Sequence, residues 1–147
     1  MENIDGENYV KFVEFFLPQI GLYIKQLTGE IFFISKDSIN KLMYCNKNIE
    51  DYIIFETIRF KLLLKYPGVE DNDMEAYNYA REVLEYFLKI DCKSIYKNSY
   101  WFNKLGDYAE GYIADNYNKI KKVIKQNKYM TFDDIFYDII LKDFDLE

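Results

Sequence analysis

Two pairs of carboxylates have the spacing of a catalytic or metal-binding face. Glu82 and Glu85, and Asp107 and Glu110, stand three residues apart, which puts each pair on one side of a helix. Paired acids can hold Mg²⁺ or share the work of glycoside hydrolysis, one protonated and one charged. A carboxylate-dependent metal hydrolase is therefore one reading of the chain. The competing reading is that acidic helices produce such pairs as solvated faces. Asp71-Asn72-Asp73 has the opening of a calcium loop but lacks its glycine and its twelfth-position glutamate, so helix capping accounts for it better.

The remaining chemistry is bounded by what is missing. The chain has no histidine, which removes the commonest general base at neutral pH and every Ser-His or Cys-His nucleophile. Cys45 and Cys92 alone cannot build a four-ligand structural zinc site. No glycine-rich phosphate loop of either common pattern is present. No catalytic residue, metal or cofactor is expected, and binding surfaces carry the functional argument.

Charge is distributed unevenly. Residues 131–147, TFDDIFYDIILKDFDLE, hold six acids and one lysine, while residues 1–130 hold nineteen acids against eighteen basic residues. Asp133, Asp134, Asp138, Asp143 and Asp145, with Tyr137 beside them, form one candidate surface for a basic partner. Glu70, Asp71 and Asp73 form a second, at a turn between two helices. Opposite charge speeds association, and tyrosine supplies contact area at low entropy cost. The same acids could instead be solvated helix faces that aid solubility. The one basic run, KIKKVIKQNK at 119–128, fits a helix C-terminus better than a nucleic-acid groove. A net charge of −6 and only two arginines, Arg59 and Arg81, argue against nucleic-acid binding.

The elements that position these residues read as helices. Asn48 with Asp51, Asn72 with Glu75, and Thr131 with Asp134 have capping spacing, Ser99 is a further cap, and Pro67-Gly68 stops a helix. Apolar residues run almost all round Ile49–Leu63, which predicts a central, heavily buried helix. Ala76, Tyr79, Ala80, Val83, Leu84, Phe87 and Leu88 form the stripe of the next helix. Gly106 and Gly111 are expected to bend or break a third, spanning 99–128. A first helix from about residue 7 would kink at Pro18. EIFFIS at 30–35 has strand composition but no evident partner strand. The expected fold is therefore all-α, residues 1–147 forming one domain of about five or six helices. No window suits a membrane span and the N-terminus is too acidic for a signal peptide, so the expected location is the cytoplasm.

A compact, acidic, tyrosine-rich, histidine-free chain with seventeen lysines resembles, in whole-chain profile, the small immunity proteins of bacterial toxin–immunity systems, such as those of contact-dependent growth inhibition. The resemblance is one of composition and carries no motif. It implies a protein, not an enzyme, that binds a basic toxin, typically a nuclease, and blocks its active site or substrate groove. A phage-encoded inhibitor of a host defence factor would use the same physics on a different partner.

Overall fold

The computed structural model describes residues 1–17, 19–36, 41–96 and 98–116. It begins with strands. β1 (Glu2–Ile4), β2 (Glu7–Glu14), β3 (Ile20–Lys25), β4 (Ile31–Ser35) and β5 (Lys41–Asn46) form one antiparallel sheet in chain order. Helices α1 (Ile49–Lys65), α2 (Asp73–Ile90) and α3 (Tyr100–Asp115) follow, with a 3-10 turn at Cys92–Ile95 between the last two. The fold is α+β, which corrects the all-α expectation.

The physical reason for the error is burial on both faces of the sheet. Along β3, Leu22 packs into the core shared with the helices, while Tyr23 joins Tyr9 and Ile34 in a second cluster on the opposite side. Strands covered on both sides lose the polar alternation that marks a half-solvated strand. The apolar run taken for a kinked first helix is β2, β3 and their connection. EIFFIS is β4, paired with β3 on one side and β5 on the other. The turn chemistry agrees with strands. Asp5 and Gly6 both take positive φ, 52° and 83°, as a two-residue hairpin turn of the primed type requires.

Three expected caps form, at Asn48, Asn72 and Ser99, while the Thr131–Asp134 pair lies outside the described residues. Asn48 Oδ1 accepts from the Asp51 amide at 2.8 Å and Asn72 Oδ1 from the Glu75 amide at 3.0 Å. Ser99 Oγ accepts from the Phe102 amide at 3.3 Å. α3 runs unbroken through Gly106 and Gly111, against expectation. Gly111 is there for space: a Cβ on it would lie 2.5 Å from Oδ1 of Asp73.

The core is aromatic. Trp101, fully buried, packs against Phe55 and Phe87, which stack on each other with ring centroids 3.7 Å apart. Cys45, Met43, Leu22 and Ile31 close the sheet side. α1 differs from its prediction. It buries fully only Phe55 and Leu62, one narrow line toward the core, and Ile49, Ile53, Ile54, Phe60 and Leu64 are exposed. The helix lies at the side of the helical layer, so much of its apolar surface faces away from the core.

Candidate functional site

The site is assembled from a turn and two antiparallel helices. Pro67 cannot continue α1, and the chain folds back on Gly68, whose carbonyl accepts from the Asp71 and Asn72 amides at 3.0 and 2.9 Å. The Glu75 carboxylate covers Gly68, where a Cβ would meet its oxygen. Glu70, Asp71 and Asp73 are all exposed at this turn. They are the second of the two acidic groups expected from sequence. Asp133, Asp134, Tyr137, Asp138, Asp143 and Asp145, the first group, lie outside the described residues.

The α2–α3 pairing brings further acids to the same end. Asp73 lies against Gly111, so the start of α2 sits beside the last turns of α3. A ladder of rings sets that register: Tyr77 stacks on Tyr112 with centroids 4.3 Å apart, and Tyr79 meets Tyr108 edge-on at 5.2 Å. Tyr66 continues the series onto Tyr79 at 6.4 Å. Residues 66–80 and 105–116 together contain seven acids and five tyrosines but no lysine or arginine. Glu110 and Asp115 are exposed, as is Asp107 one turn from Gly111.

The sequence offers Asp107 and Glu110 only as one alternative for a hydrolytic pair, and it does not single out Asp115. The missed signal was the absence of basic residues from two stretches at once. Only the antiparallel packing makes those stretches neighbours.

The border of this end carries compensated charge. Glu82 accepts from Lys65 Nζ at 2.7 Å and from the Tyr66 hydroxyl. Burial alone would raise the Glu82 carboxyl, but these two hydrogen bonds outweigh it and hold its pKa below the ordinary carboxylate value. Glu85 pairs with Lys89 at 4.0 Å. A cavity of about 320 Å³ runs along this border, lined by Tyr66, Asn78, Arg81, Glu82, Glu85, Tyr86 and Lys89. The Glu82/Glu85 pair therefore sits among cations and two phenols. Deeper in, burial pushes the Tyr79 phenol up to about 12, so this ring stays neutral at physiological pH.

No protein-family model, no curated protein and no solved structure matches the chain. The site has to be read from its own chemistry. Among the described residues no three His, Cys, Asp or Glu side chains gather closely enough to hold a metal. No helix among them is long and apolar enough to cross a membrane. What the arrangement can do is present negative charge on a rigid frame. The carboxylates project from the turn at 68–71 and from two helices that aromatic contacts lock together, so the backbone carrying them is held in place.

Proposed function

We propose that the chain binds and neutralises a basic protein, a toxin nuclease of the kind countered by bacterial immunity proteins. The acidic end formed by Glu70, Asp71 and Asp73 with Asp115 is the docking surface. One observation carries this reading: two stretches remote in sequence, each free of lysine and arginine, are packed side by side. The carboxylates take the place of nucleic-acid phosphates in the partner's substrate groove. Tyr112 and Tyr66, half-buried at the margin, supply contact area.

The test is a pull-down with the tagged full-length chain from nuclease-treated lysate of the native cell, eluted at low and then high salt. The reading expects one stoichiometric basic protein released by salt. It expects that protein to be lost from a variant carrying Asp71→Lys, Asp73→Lys and Asp115→Lys. Equal capture by the variant would remove this end as the docking surface.

A further inference from the structure

α1 presents an apolar stripe on the side facing away from the core. Ile49 is 38% exposed, Ile53 57%, Phe60 59% and Leu64 85%. At 3.6 residues per turn these four and Thr57 fall within about 80° of arc, opposite the core-facing Phe55 and Leu62. Single exposed apolar residues need no explanation, but a row of four on one helix does.

We infer that this stripe is a self-association surface, on which two copies pair through antiparallel α1 helices. The spacing of the stripe is symmetric about the point between Glu56 and Thr57. In an antiparallel pair centred there, Ile49 of one copy meets Leu64 of the other and Ile53 meets Phe60, each contact occurring twice. Such an isologous patch is what a two-fold dimer requires.

The residue at the crossing point suits close approach. Thr57 is small, and its hydroxyl already donates to the Ile53 carbonyl at 2.8 Å, so it can meet its own copy without stranding a polar group.

Charge selects the same orientation. α1 has Glu50 and Asp51 in its first turn and Lys61 and Lys65 near its end. Glu50, Ile54 and Lys61 flank one side of the stripe, so antiparallel pairing sets Glu50 of each copy near Lys61 of the other. A parallel pair would put like charges together. The helix dipoles also oppose favourably in the antiparallel arrangement.

The stripe and Ile54 expose on the order of 500 Å² per copy, so pairing buries at most about 1,000 Å², an area that fits a weak, concentration-dependent dimer. Each acidic turn follows the end of its own α1, so the two docking surfaces would lie at opposite ends of the paired helices, roughly 25 Å apart or more. The dimer does not depend on the proposed docking function.

Sedimentation equilibrium on the full-length chain up to about 100 µM tests the inference, that range covering weak but specific pairing. The expected result is a dimer whose dissociation constant rises at least about tenfold in Ile53→Asp or Phe60→Asp, with unchanged far-UV circular dichroism. Glu50→Lys should weaken it, and adding Lys61→Glu should restore it, as charge exchange does only across a pairing interface. A chain that stays monomeric overturns the inference, whether the stripe is open or covered by residues 117–147 of the same chain. So does a dimer indifferent to all four substitutions.

Discussion

The indole Nε1 of Trp101 donates to Oδ1 of Asn46 at 2.8 Å, both residues fully buried, and so ties α3 to the last strand of the sheet. The Cys45 thiol donates to the same oxygen at 3.3 Å. A buried donor that loses its acceptor costs the full desolvation of that group. Asn46→Ala strands the indole N–H and is expected to cost about 2–3 kcal/mol, seen as a fall in Tm of roughly 6–10 °C. Trp101→Phe removes the donor and part of the ring and should cost a similar amount. The double variant should cost less than the sum, because each change removes the same hydrogen bond. Additive losses in a thermal denaturation cycle would mean that the bond contributes nothing of its own.

This link also marks where the sequence was legible and where it was not. The caps at Asn48, Asn72 and Ser99 are local: a side chain reaches an amide three residues on, and spacing alone reveals it. The α2 stripe from Ala76 to Leu88 was readable for the same reason. The sheet was hidden because Tyr23 and Leu22 are both buried, on opposite faces, so β3 shows no alternation. Asp5-Gly6 and Thr28-Gly29 carried the turn signal that could have outweighed the apolar run. Most of the acidic end was visible as a local cluster, Glu70 to Asp73. The contribution of Asp115 depends on the α2–α3 register, and nothing local encodes which helix lies beside which.

Gly111 and Asp73 should show coupling of opposite sign. Alanine is worth about 1 kcal/mol more than glycine inside a helix. At Gly111 the new Cβ would sit 2.5 Å from the Asp73 carboxylate, which has to move. Gly111→Ala alone is therefore expected to be near neutral or destabilising. In an Asp73→Ala background the same change should stabilise by about 1 kcal/mol. Chemical denaturation of the four proteins measures this, and identical effects in both backgrounds would place Asp73 away from the glycine.

The two cysteines should differ sharply in reactivity. Cys45 is buried, and desolvation pushes its thiol well above the ordinary value, so it is a poor source of thiolate. Cys92 is exposed at the start of the 3-10 turn. A disulfide reagent such as DTNB is expected to titrate one thiol quickly in the native chain and the second only after denaturation. Cys92→Ala should abolish the fast phase. Two fast thiols would show that the packing around Asn46 and Trp101 opens readily.

Acid stability should depend on Glu82. Its folded pKa lies below the unfolded value, held there against burial by hydrogen bonds from Lys65 and Tyr66. The unfolded chain therefore binds the proton first as pH falls. The stabilisation is complete above the unfolded carboxylate pKa and is lost as pH drops through the folded one. Lys65 works in the opposite direction: the hydrogen bond to Glu82 raises its pKa, so its share persists below the usual lysine range and disappears at high pH. Glu82→Gln is expected to lower the urea midpoint at pH 7 more than at pH 3, flattening the acid limb, while Lys65→Met should do the same with less loss because Tyr66 still donates to the carboxylate. If the wild-type and Glu82→Gln midpoints run parallel from pH 7 to pH 3, the pair is not contributing to the acid dependence, and the border of the acidic end is held by packing alone.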